Sequence, residues 1–191
     1  MRIGLFGGSF DPIHNAHLRL ALDAKKEFRL DKVIFVPARM PPHKRSKTLA
    51  RAEDRIKMIR AAIRRYAGFE ASGFETDRNS TTYSCDTVRH FRKKYPKADI
   101  FFLIGSDSLN ELKTWKNIAK LVKLCRFIVA RRKGYRIDRK NKYLGFAFFT
   151  KKQIENISAT KIRKLAQKGA SIKKLVPGPV EKYISKRKLY R

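Results

Sequence analysis

Arg2-Ile3-Gly4-Leu5-Phe6-Gly7-Gly8-Ser9-Phe10-Asp11-Pro12-Ile13-His14-Asn15-Ala16-His17-Leu18 is the stretch on which the fold turns. Arg2 to Phe6 alternates as a strand does, and Gly7-Gly8 interrupts it. From Ala16 to Phe28 the apolar residues return at helical spacing, through Leu18, Ala21, Leu22 and Phe28. Strand, glycine turn and helix in that order open a βαβ unit. Glycines after a first strand let main-chain N–H groups approach a phosphate, and the start of the helix adds partial positive charge. His14 and His17 are three apart, so placed together in the first helical turn they share a face and can hold the same phosphate oxygens. Taken singly, a glycine pair is only a turn and a histidine is more often structural. Two histidines behind a glycine turn on the first strand make the joint coincidence improbable.

The pattern repeats downstream. Lys32 to Val36 reads as a strand closed by Pro37, Ala50 to Tyr66 as a helix, and Phe69 to Phe74 as a strand. Ser84 is placed to cap a helix that carries Val88 and Phe91. Ile100 to Ile104 is apolar on both faces, the mark of a strand covered by helices on either side. Strands at Arg126 to Ala130 and Ala147 to Phe149 follow, then helices at Ala159 to Gln167 and Pro179 to Ser185. The expected fold is α/β: a doubly wound, Rossmann-like parallel sheet in one domain over residues 1–191, with a small helical part from about residue 158. Ligands of such sheets lie at the carboxyl ends of the strands.

Composition narrows the class. The 191 residues, 42% of them hydrophobic, suffice for one buried core. No apolar run approaches a membrane span or a signal-peptide core, so a soluble cytoplasmic protein with no membrane partner is expected. Cys85 and Cys125 form no C-x-x-C pair and read as free thiols. Lys and Arg outnumber Asp and Glu by 47 to 16, a net charge of +31. The bases are spread, with no run longer than three, unlike the blocks of nucleic-acid tails. Nucleic acid therefore ranks behind phosphorylated small molecules as a partner, and a homo-oligomer is open.

Near the other end, Ile157-Ser158-Ala159-Thr160-Lys161-Ile162-Arg163 puts a hydroxyl where a helix begins and a guanidinium about a turn later. Ser158 can be a simple N-cap, yet the same geometry converges helix N–H groups, a hydroxyl and Arg163 on one anion. Asp107, behind Gly105 at a strand end, is placed either to cap a turn or to accept from ribose hydroxyls. No His, Cys or carboxylate spacing suggests a structural metal.

Together these residues resemble the nucleotidylyltransferases, whose signatures are a G-x-F-D-P-x-H-x-G-H turn and an I-S-x-T-x-I-R helix start. Within them the chain is similar to the bacterial-type nicotinate-mononucleotide adenylyltransferases. That narrower likeness rests on Pro37 to Lys44, Glu75 through Arg78 to Thr87, Gly105 to Leu109, Trp115, Val129 to Tyr135, Leu175 to Val180 and the terminal Leu189-Tyr190-Arg191. It runs along essentially the whole chain. Ala16 departs from the usual glycine, and Ser80, Thr82 and Ser84 depart from a G-P-S-Y-T loop while retaining hydroxyls.

The resemblance implies transfer of AMP from ATP to nicotinate mononucleotide, giving nicotinate adenine dinucleotide and pyrophosphate. It assigns His14 and His17 to the ATP phosphates and to transition-state charge, and Ser158 and Arg163 to the outgoing pyrophosphate. The main chain of Gly8, Ser9 and Phe10 lines the cleft, and Gly105 and Asp107 receive the adenosine ribose. It places Trp115 against the pyridine ring, the loop of Thr82, Tyr83 and Ser84 at the nicotinate carboxylate, and Lys44 near the mononucleotide phosphate. Mg²⁺ is expected on the ATP phosphates with few protein ligands. Nicotinamide mononucleotide and phosphopantetheine are the alternative co-substrates. A basic nucleic-acid-binding module on the same fold is the alternative of another class.

Overall fold

The structure, a computed structural model, describes residues 1–39, 49–78 and 80–191. Lys44 and the surrounding Met40 to Thr48 lie outside the described residues. The chain runs β1 (Arg2–Gly8), α1 (Asn15–Glu27), β2 (Lys32–Pro37), α2 (Ala52–Ile63), β3 (Phe69–Ala71) and α3 (Ser84–Lys94). It continues with β4 (Asp99–Gly105), α4 (Ser106–Asn110), α5 (Ile118–Leu124), β5 (Arg126–Arg132), β6 (Ala147–Ile154), α6 (Ala159–Gln167) and α7 (Gly178–Lys186). The strands form one six-stranded sheet in the order β3-β2-β1-β4-β5-β6. Every pairing is parallel.

The two-residue period of the strands sorts the core into two layers. Phe35, Phe101, Leu103, Ile128 and Ala130 join the cluster that also contains residues of α1, α2, α6 and α7. Ile34, Val36, Ile100, Phe102, Ile104, Phe127 and Val129 join the opposite cluster with α3, α4 and α5. Burial on both faces is what the unbroken apolar run of β4 anticipates. Strand order reverses between β1 and β4, so the crevice beyond their carboxyl ends lies between the histidine turn and Gly105.

Several boundaries differ from expectation: β1 runs on through Gly7 and Gly8, α2 is shorter than the expected Ala50 to Tyr66, and three further differences have a visible local cause. β3 ends at Ala71, because Ser72 and Gly73 start a turn: Ser72 Oγ accepts from the Phe74 N–H at 3.2 Å, and Gly73 O accepts from the Asp77 N–H at 2.8 Å. Phe74 stacks on His90 of α3 instead of joining the sheet. Ser84 is the first residue of α3 rather than its cap. Tyr83 is the N-cap, and its N–H donates to Asp86 Oδ2 at 3.3 Å. β6 runs on to Ile154, past an apolar run that stops at Phe149. As an edge strand it exposes Lys151, Lys152 and Gln153, which hides its strand character in the sequence.

Candidate functional site

The turn after β1 is held from below. Phe10 adopts a left-handed backbone (φ 46°), a conformation that costs a non-glycine residue about 1–3 kcal/mol. Its ring is buried edge-on against Phe6 at 5.2 Å and His17 at 5.0 Å, which retains the turn in this shape. Arg55 of α2, almost fully buried, donates through Nη1 to the carbonyls of Ser9 (2.8 Å) and Ala38 (2.6 Å). Its Nη2 reaches the Arg39 carbonyl (2.9 Å) and its Nε the Ala50 carbonyl (3.2 Å). Arg55 thus ties the Ser9 carbonyl of the turn to the segment that follows β2.

His14 is the N-cap of α1, with extended backbone (φ −139°, ψ 172°), one residue ahead of the helical turn expected for it. The two imidazoles nevertheless lie face to face, 3.6 Å between centroids and 16° from parallel. The His14 N–H donates to His17 Nδ1 at 3.2 Å, so a neutral His17 carries its proton on Nε2. His14 is buried, and its Nδ1 has no hydrogen-bond partner among the described residues. Burial, with the charge of Arg132 behind it, pulls its pKa down to about 3. α1 has no acidic residue in its first turn, so no carboxylate of the helix itself offsets the positive end of its dipole.

Across the crevice, Asp107 Oδ2 is 2.6 Å from Arg132 Nη1, and Arg132 Nη2 donates to Asn156 Oδ1 at 2.9 Å. Asp107 Oδ1 is buried with no partner among the described residues. Gly105 permits this packing: a Cβ there would overlap Asp107 Oδ1 and stand 3.0 Å from Arg132 Cδ. Arg132 was not among the residues expected at the site. In a chain with 47 cations one arginine carries no signal; its position as the last residue of β5, at the ligand end of the sheet, is what reveals it.

α6 begins as the sequence implies, with Ser158 Oγ accepting from the Lys161 N–H at 3.4 Å and no acid in the first turn. Arg163 is turned to the histidine loop. Its Nη1 donates to the Asp11 carbonyl at 2.8 Å and lies 3.5 Å from Asp11 Oδ2, while Nη2 donates to Thr160 Oγ1 at 3.3 Å. Asp11, a residue of the turn to which sequence pattern assigns no role, is fully buried.

Thr82, Tyr83 and Ser84 come near Trp115 through Lys116, whose Nζ stands 4.4 Å from the Tyr83 ring centroid. Trp115 is half-buried, edge-on to Phe102 at 5.9 Å, and Phe102 Cζ is 3.0 Å from where a Gly7 Cβ would stand. The indole therefore sits beside the end of β1. Thr82 Oγ1 is buried without a hydrogen-bond partner among the described residues. The Tyr83 N–H, expected to face a ligand carboxylate, is taken by Asp86; the next first-turn N–H groups are those of Ser84 and Cys85. No group of three or more His, Cys, Asp or Glu among the described residues is arranged to hold a metal ion. No described helix is long and apolar enough to cross a membrane.

A family model described as cytidylyltransferase-like matches residues 5–165, from β1 through Arg163. The chain belongs to the cytidylyltransferase-like family. Among curated relatives of this family member, a protein of Geobacter sp. (strain M21) is 37% identical over 212 residues, covering 100% of this chain and 98% of the relative. One of Exiguobacterium sibiricum is 40% identical over 192 residues, covering 100% and 99%. Both bear the name "Probable nicotinate-nucleotide adenylyltransferase". Among solved structures, Plasmodium falciparum nicotinic acid mononucleotide adenylyltransferase complexed with NaAD superposes with a TM-score of 0.83 at 24% identity, covering 99% of this chain and 97% of that one. At that identity the likeness speaks to the fold.

Proposed function

We propose that this protein transfers AMP from ATP to nicotinate mononucleotide, releasing pyrophosphate and forming nicotinate adenine dinucleotide, a step of NAD biosynthesis. The observation that carries the proposal is the stacked His14–His17 pair at the N-terminus of α1, whose first turn holds no acid, at the switch point of the sheet. Full-length relatives that bear the matching enzyme name support it.

The chemistry asks little beyond placement and charge. The phosphate of the mononucleotide is already ionised at neutral pH. Its oxygen attacks the α-phosphorus of ATP as the bond from that phosphorus to the β-phosphate oxygen breaks, and pyrophosphate leaves in line. His17, through Nε2–H, and the N–H groups of the turn donate to phosphate oxygens as charge builds. His14, neutral in the free protein, is a site that a bound polyphosphate would draw toward the protonated form. The first turn of α6, with Ser158 and Arg163, faces the departing pyrophosphate.

Asp107 and Gly105 take the adenosine ribose, and Arg132 must release Asp107 or share it. Trp115 stacks on the pyridine ring, while Thr82, Tyr83 and Ser84 frame the nicotinate end. Lys44 remains assigned to the mononucleotide phosphate by resemblance. Mg²⁺ would arrive on ATP, its ligands phosphate oxygens and water, where it neutralises phosphate charge. One nucleotidyltransferase domain over residues 1–191, working in the cytoplasm, accommodates all of this.

Pyrophosphate release from ATP, measured with nicotinate mononucleotide, nicotinamide mononucleotide and phosphopantetheine in parallel, tests the proposal. Turnover with nicotinate mononucleotide highest is the expected result. Release with phosphopantetheine alone would overturn the co-substrate. RNA binding of steep salt dependence without any release would favour a nucleic-acid-binding module.

A further inference from the structure

The histidine turn is fastened to the far end of the chain. The Tyr190 hydroxyl donates to Asp11 Oδ1 at 2.8 Å, across 179 positions of sequence. The tail arrives along a fixed route: α7 packs on α2, and Tyr183 donates to Asp54 Oδ1 at 2.7 Å. Tyr190 itself takes a left-handed backbone (φ 69°) that aims its ring inward. Burial and the neighbouring Asp11 carboxylate push its phenol pKa up, so it remains a donor.

Asp11 divides its two oxygens unequally. Oδ1 accepts from both Tyr190 and the Ala50 N–H (3.1 Å). Among the described residues Oδ2 has no hydrogen-bond partner, with Arg163 Nη1 held 3.5 Å away and bonded instead to the Asp11 carbonyl. Arg163 is thus anchored through a neutral carbonyl and attracted by, but not closed onto, a buried carboxylate. A carboxylate relieved of one donor attracts a nearby guanidinium more strongly, and a bidentate arginine–carboxylate pair in a buried setting is a strong one.

We propose that Tyr190 is a positioning residue for ATP: by occupying Asp11 Oδ1 it limits the hold of that carboxylate on Arg163, which stays at the turn and available to the triphosphate. This rests on the assignment of ATP as substrate. Loss of the hydroxyl alone should draw Arg163 onto Asp11, so that ATP competes with a buried ion pair for the guanidinium. The mononucleotide, bound on the Trp115 side, should not sense the change.

Tyr190→Phe keeps the ring and removes the donor. ATP affinity by titration calorimetry, and KM for ATP and for nicotinate mononucleotide, are measured for wild type, Tyr190→Phe, Arg163→Ala and the double variant. The expected result is ATP Kd and KM raised about 3- to 10-fold, the scale of one hydrogen bond. The mononucleotide KM is unchanged, and Tyr190→Phe adds nothing in the Arg163→Ala background. Unchanged ATP affinity in Tyr190→Phe overturns the proposal. So does an effect that persists in Arg163→Ala or raises both KM values together with a lowered thermal midpoint, since Tyr190 is then only a structural clasp. A wild type that binds ATP but releases no pyrophosphate refutes the transferase reading, while the calorimetry still decides the role of Tyr190.

Discussion

The His14 N–H donates to Nδ1 of His17 while the two rings stack 3.6 Å apart, so main-chain geometry at one histidine sets the tautomer and the pose of the other. The main chain at the N-cap thus leaves the proton of a neutral His17 on Nε2, while the Phe6 and Phe10 rings stand edge-on to the same imidazole.

His17→Ala should therefore lower kcat by roughly 10²-fold or more, the scale for losing one preorganised donor at developing charge. Phe10 and Phe6 also lose an edge contact, so the thermal midpoint is measured alongside. Near-normal turnover in a folded His17→Ala protein would refute the site.

His14 ties stability to pH. Its folded pKa of about 3 lies below the ordinary value of 6.5, so between these the unfolded chain binds a proton that the folded protein refuses. Its contribution is neutral above about pH 6.5 and turns destabilising as pH falls toward 3. His14→Asn, which retains a good N-cap, should lose about 2 kcal/mol less stability than wild type between pH 7 and pH 5, from about 1.4 kcal/mol per pKa unit. Urea midpoints at the two pH values measure it; parallel losses in both proteins would show that His14 titrates normally.

Gly105→Ala adds a methyl where Asp107 Oδ1 and Arg132 Cδ already stand. Overpacking of this kind costs about 1–3 kcal/mol. The Asp107–Arg132 pair must move, so KM for ATP should rise while KM for the mononucleotide holds. A variant with wild-type stability and ATP KM would show that Asp107 adjusts freely and does not define the ribose site.

The acid mononucleotide should be preferred over the amide by at least about 10-fold in kcat/KM, since a charge-assisted hydrogen bond is worth about 1.5–3 kcal/mol. In the proposed site the donors would be the first-turn N–H groups of α3 at Ser84 and Cys85, because Asp86 occupies the Tyr83 N–H. Stacking on Trp115 is nearly equal for the two rings and cannot discriminate. Equal kcat/KM for both co-substrates would remove the Thr82–Ser84 loop from the carboxylate.

Local pattern alone sufficed for the parallel sheet, the histidine turn and the Ser158 cap, because strand period, glycine punctuation and helix capping act over a few residues. The both-face burial of Ile100 to Ile104 was legible for the same reason. What pairs with what was not. Asp107 with Arg132, Asp11 with Arg163 and Tyr190, and Arg55 beneath Ser9 are contacts across 25 to 179 positions, made only when the strands have paired and α2, α6 and the segment after α7 have packed beside the end of β1. Among so many basic residues, chemical type could not single out Arg132 or Arg55; burial and the carboxylate or carbonyls each one meets did. The Asp86 bond to the Tyr83 N–H, by contrast, is a local capping contact three residues apart, hidden only because Ser84 rather than Tyr83 reads as the cap.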